Sequence, residues 1–131
     1  ESGPTATVSA AITRWFSENF IKGNPLIIDK VKKWILSNDP SIYPKIYKIL
    51  AYDLEEIIKP QPPINCPTLI ITADQDYGNG PEMSEKIANE ISQSQMHIMR
   101  NLKHMGLVED PNQFGSIIKP FLRQFTTVGP I

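Results

Sequence analysis

Soft ligands are scarce in this sequence: 131 residues hold one cysteine and two histidines. A single thiol, Cys66, cannot build an internal disulfide framework, and a reducing, cytoplasmic setting suits such a chain. His97, His104 and Cys66 share no close ligand spacing, so neither a metal nor a cofactor is expected. An excess of one charge is also missing, since 13 basic and 14 acidic residues leave a net charge of −1. Without a basic stripe or acidic tail, neither nucleic acid nor an anionic membrane is an expected partner. The longest apolar runs, such as TLIIT at 68–72, fall far short of the roughly 20 residues that a spanning helix requires. The opening ESGPTATVSA lacks the basic end and apolar stretch of a signal peptide. A chain of this length can fill one modest core but not two independent domains of usual size.

What is present falls into two parts, 1–60 and 61–131. The first reads as helices. Ile12, Trp15, Phe16 and Phe20 lie at helical spacing on one face, with Trp15, Phe16 and Trp34 expected in the core of a helical layer or lining a pocket beneath it. GNP at 23–25 ends the first helix and starts another, with Asn24 as cap and Pro25 in the first turn. Ile27, Val31, Trp34 and Ile35 give the second helix its stripe. SNDP at 37–40 stops it, and Ile46, Ile49, Leu50, Leu54, Ile57 and Ile58 carry a third face. KPQPPINCP at 59–67 then places four prolines where no helix interior would accept them.

From 67 onward the pattern is strand, helix, strand, helix. TLIIT is a short β-branched run suited to a strand covered on both faces. Pro81 opens a helix with Met83, Ile87, Ala88 and Ile91 on one side, and QMHIM at 95–99 is the second strand. Asp110, Pro111 and Gln113 have the spacing of a capping box ahead of a stripe through Phe114, Ile117, Ile118, Phe121, Leu122 and Phe125. This alternation implies parallel βα units. Two such strands alone leave open edges, so the expectation is an α/β sheet continued by strands from a longer protein. Self-association into a homodimer is a second way to cover those edges.

In open parallel sheets, reacting groups gather beyond the carboxyl ends of the strands. Asp76 follows the first strand and His104 the second, one βα unit apart. A carboxylate there can accept the imidazole N–H, fix the tautomer and stabilise the imidazolium. The plain alternative is turn chemistry, because Asp and Gly after a strand are ordinary loop residues. Asp74 is the rival acid, able instead to bond the turn backbone. His97, placed mid-strand, is the rival base. Cys66 has no base beside it and reads as a packed thiol rather than a nucleophile.

Residues 64–125, from INCPTLIITADQDYGNG through LKHMGLVEDP to the last helical stripe, resemble the C-terminal part of α/β-hydrolase-fold enzymes. There, strand, acid loop, helix, strand, histidine loop and final helix follow in this order. The resemblance assigns Asp76 to the family's catalytic acid and His104 to its catalytic histidine. The helices of 1–60 resemble the family's cap, most nearly that of 3-oxoadipate enol-lactonases. Ala73 and Lys103 stand where the family usually has glycine, which puts both turns in question. No Gly-x-Ser-x-Gly nucleophile elbow occurs in the chain, and the family's order is serine, acid, histidine. The resemblance therefore implies the second half of a serine hydrolase acting on an ester, lactone or related small acyl compound. The serine would lie in a missing N-terminal half of the same protein. Two other readings stay open: C–C bond hydrolysis or cofactor-free peroxidase chemistry on the same fold, and a non-enzymatic binding module.

Overall fold

A computed structural model describes residues 3–52 and 58–126. The chain divides between Ile64 and Asn65 into two compact units. The first holds α1 (Gly3–Trp15), α2 (Glu18–Gly23), α3 (Pro25–Leu36) and α4 (Tyr43–Tyr52), with no strand among its described residues. The expected single helix from Ile12 to Phe20 is in fact two. Ser17 adopts an extended backbone and its side-chain oxygen accepts the Phe20 N–H, starting α2 afresh. The apolar face survives the break: the rings of Phe16 and Phe20 stack at 5.4 Å. Asn24 precedes α3 as expected, but its side chain does not cap it. The Asn24 amide turns back to donate to the Phe20 carbonyl, closing α2 instead.

In α3 the buried positions are Ile28, Val31 and Ile35. That stripe is turned from the expected one, leaving Ile27 and Trp34 exposed. Trp34 is not a core residue; the Lys30 ammonium lies 5.3 Å from the centre of its ring, covering part of the exposed face. The α4 positions Ile46 and Ile49 are likewise half open. Leu54, Ile57 and the Leu50 side chain lie outside the described residues.

The second unit runs β1 (Thr68–Ala73), α5 (Pro81–Glu90), β2 (Ser94–Met99), α6 (Gly106–Glu109) and α7 (Pro111–Arg123). The strands pair in parallel, Thr68 opposite Ser94 through Ala73 opposite Met99. Burial is uneven along β1. Leu69, Ile70 and Ile71 are half-buried, and only Thr72 and Ala73 are fully so. The expected covering of both faces is therefore met only at the carboxyl end. There Ala73, Met99 and Leu102 form a small core, with Ile71, Phe114 and Ile117 packed on it. The β-branched run is half open because a sheet of two strands is too narrow to receive full helical layers. The same narrowness leaves Met83 and Ile87 of α5, and Leu122 beyond the α7 contact, exposed. Cys66 lies before the paired residues of β1 and is exposed, so the packed thiol expected there is corrected.

Candidate active site

The acid loop leaves β1 through a tight turn, the Asp76 N–H donating to the Ala73 carbonyl. One carboxylate oxygen of Asp76 accepts the N–H groups of Gly78 and Asn79, each at 3.1 Å. The buried Thr72 hydroxyl donates to the Asn79 carbonyl at 2.7 Å, tying the far side of the loop to the strand. Gly80 is required for space rather than for its backbone angles, since its φ is an ordinary −77°. A Cβ there would lie 2.6 Å from the Asp76 carbonyl oxygen.

The histidine loop is held just as closely. Asn101 takes a positive φ of 60°, which asparagine tolerates better than most residues, and so turns the chain sharply after β2. The Arg100 N–H donates to the Gln113 side-chain oxygen at 2.8 Å. Gln113 therefore completes only half of the expected capping box. Its backbone N–H does donate to the Asp110 carboxylate. Its side chain has no use for the Asp110 N–H, which already serves the Gly106 carbonyl of α6.

These loops bring Asp76 and His104 together. The second Asp76 oxygen lies 2.7 Å from His104 Nδ1. The Asp76 side chain is largely shielded, at 9% exposure, while His104 is open at 37%. Burial pushes the Asp76 carboxyl up, but the hydrogen bonds from His104, Asn79 and Gly78 together outweigh it and hold the group below its usual range. The acid is thus ionised at neutral pH and can only accept, so Nδ1 carries the proton. The lone pair of a neutral ring then sits on Nε2.

The rivals go elsewhere. His97 is exposed in the middle of β2, opposite Ile71. Asp74 accepts the backbone N–H of Leu102 at 3.3 Å. Ala73, standing where glycine was expected, is 95% shielded, its methyl packed in the core below the turn. Lys103 is half-buried next to His104, and its carbonyl accepts the Gly106 N–H. An open depression of about 380 Å³ adjoins Asp76, bordered by Tyr77, Gly80, Pro81, Met83 and Lys86. Among the described residues no group of three or more His, Cys, Asp or Glu could hold a metal ion. No described helix is long and apolar enough to cross a membrane.

Known proteins share this arrangement of elements. An esterase from Thermogutta terrifontis, solved with malate bound, superposes over 95% of this chain with a TM-score of 0.77 and 26% identity. Its fold is the deciding observation. This chain has the fold of the C-terminal half of an α/β hydrolase.

The enol-lactonase from Burkholderia xenovorans shares that hydrolase fold over 93% of the chain, with a TM-score of 0.75 and 21% identity. Among curated proteins, 3-oxoadipate enol-lactonase 2 of Acinetobacter baylyi is 26% identical over 126 residues, 95% of this chain. The (E)-2-((N-methylformamido)methylene)succinate hydrolase of the same organism is 22% identical over 88% of the chain. No family model matches. The chain spans 46% and 43% of the length of these two curated relatives and 45% and 46% of the two solved chains.

Gly80, Thr72 and Leu102 are the parts of the site that sequence reading missed. A signal for Gly80 was available, since it directly precedes the helix-opening Pro81 four residues after the acid.

Proposed function

We propose that this chain supplies the acid and the base of a Ser-His-Asp hydrolase acting on an ester, lactone or related small acyl compound. The observation that carries the proposal is the 2.7 Å contact between an ionised Asp76 and His104 Nδ1 at the strand exits. With Nδ1 protonated, Nε2 is the ring atom that would take the proton of a serine hydroxyl and then deliver it to the leaving group. Asp76 holds the ring in that tautomer and stabilises the imidazolium formed in between. The names of the relatives, enol-lactonase and esterase, support an acyl substrate attacked at a carbonyl. The serine and its oxyanion-binding N–H groups belong, on this reading, to a segment of the protein that these 131 residues do not contain. Residues 1–60 correspond, on this reading, to the helical cap segment of such an enzyme.

The test is esterase activity of the complete protein, followed with p-nitrophenyl acetate and with a fluorophosphonate that labels reactive serines. Turnover and labelling are the expected results, and His104→Ala should remove nearly all turnover. A complete protein that neither labels nor hydrolyses overturns the proposal in favour of a binding module. Full activity in His104→Ala would pass the role of base to another group, His97 being the first to examine.

A further inference from the structure

Paired residues in the strands and paired residues in the loops are offset differently. In the sheet, Thr68 faces Ser94 and Ala73 faces Met99. Beyond the sheet, Asp74 bonds Leu102 and Asp76 bonds His104, partners 28 residues apart in both cases. The second loop has gained two residues on the first. The gain is made at Arg100 and Asn101, where Asn101 takes its positive φ and Gln113 holds the Arg100 N–H.

We propose that Asp74 is the positioning residue for His104: its carboxylate locks the histidine loop into this shifted register. Both polar groups of the Leu102 backbone are committed to the acid loop. The N–H donates to the Asp74 carboxylate, and the carbonyl accepts the Gln75 N–H at 3.0 Å. Leu102 is itself buried beside Ala73 and Met99, so an unbonded N–H at this point would be costly. The clasp lies two residues before each member of the Asp76–His104 pair. Acid and base are thereby set against each other by their own loops, Asp74 holding the Leu102 backbone and Asp76, two residues on, meeting the His104 ring. Asp74 does not touch a substrate or a reacting atom; it acts through Leu102. The inference rests on the hydrolase reading for its consequence, but its test does not.

The test is nuclear magnetic resonance of this chain, reading the His104 Nδ1 proton and the Leu102 amide. In the unmodified chain both should exchange slowly, Leu102 with the hydrogen-bonded amides of β2. Asp74→Ala should speed exchange at both about tenfold or more, as expected for a lost charge-assisted bond. Asp74→Asn, whose side-chain oxygen still accepts, should restore most of the protection. Retention of the His104 signal in Asp74→Ala while Leu102 loses protection would overturn the proposal. Should Asp74→Ala fail to fold, the unmodified chain still decides, since rapid exchange at Leu102 contradicts the clasp. In the complete protein, Asp74→Ala should lower kcat on the order of 10²-fold with little change in KM, the scale of a displaced catalytic group. Loss of the clasp with unchanged kcat sinks the positioning role alone. An absence of any hydrolysis sinks the functional reading and leaves the exchange results to judge the clasp.

Discussion

Gly80→Ala adds one methyl group where the backbone has no room for it. The new Cβ would lie 2.6 Å from the Asp76 carbonyl oxygen, and that contact must open to at least 3.0 Å. The oxygen cannot yield freely. Asp76 is held by its N–H to Ala73, and its loop is anchored by the Thr72 hydroxyl on Asn79. Overpacking of this kind costs about 1–3 kcal/mol, against a gain of about 0.4–1 kcal/mol from a stiffer unfolded chain. The net loss is about 1–2 kcal/mol, or roughly 5–10 °C in the melt of a domain of this size. The displacement is also transmitted to the carboxylate, so the 2.7 Å contact with His104 should lengthen. Calorimetry of the chain reads the first effect, and the His104 Nδ1 proton signal reads the second. An alanine variant that melts with the unmodified chain and keeps that signal would refute the claim that Gly80 is a spacer for the acid loop.

Three further outcomes follow from the same geometry. Asp76→Asn should reduce hydrolysis by the complete protein on the order of 10⁴-fold while leaving the fold intact, because the amide favours the wrong imidazole tautomer; ester turnover at saturating substrate measures it. Because Asp76 is held below its ordinary value by its hydrogen bonds, the folded state binds fewer protons than the unfolded one across that interval. Stability from this group is full above the unfolded carboxylate value, near 3.9, and is lost as pH falls through the lower folded value. Denaturant midpoints taken from pH 6 down to pH 2 should therefore fall less steeply in Asp76→Asn. The 131 residues alone should show no p-nitrophenyl acetate turnover above buffer, since the triad acts as a unit and the oxyanion donors alone are worth about 10²–10³ in rate. Turnover by the isolated chain would show a nucleophile within it.

The parts of the structure legible in the sequence are those written by local chemistry. TLIIT is legible as a strand because it is short, β-branched and bounded by Pro67 and a turn, and QMHIM because it repeats that length between two helical stripes, and Asp110 caps α7 through the Gln113 N–H as its spacing indicates. Positions decided by a neighbour distant in sequence were harder to read. Ser17 was a different case, a local cap for the Phe20 N–H three residues on, masked by the helical stripe that runs through it. Burial statistics for their residue types would place Trp34 and Cys66 inside, yet both are exposed because no described element covers them. Gln113 shows the limit most clearly. Its backbone obeys the cap rule, but its side-chain oxygen goes to Arg100, thirteen residues away, while Nε2 donates to the Asp110 carboxylate. Nothing in the local pattern records that the Asp110 N–H had already been taken by α6.

Burial and the proposed role compete at Asp76, and the way the competition ends explains the loop around it. Shielding the carboxylate from water favours its neutral form, which would donate a proton where the site needs an acceptor. Two backbone N–H groups from Gly78 and Asn79 are therefore spent on one oxygen, leaving the other for His104. Those two N–H groups come from consecutive residues of a turn that closes back on the acid, and at its end Gly80 has no room for a Cβ beside the Asp76 carbonyl oxygen. A glycine that reads as a plain turn former thus has an electrostatic consequence. It lets the backbone fold over the acid closely enough to keep it charged while it is shielded, and a charged Asp76 is what fixes the proton on Nδ1 of His104.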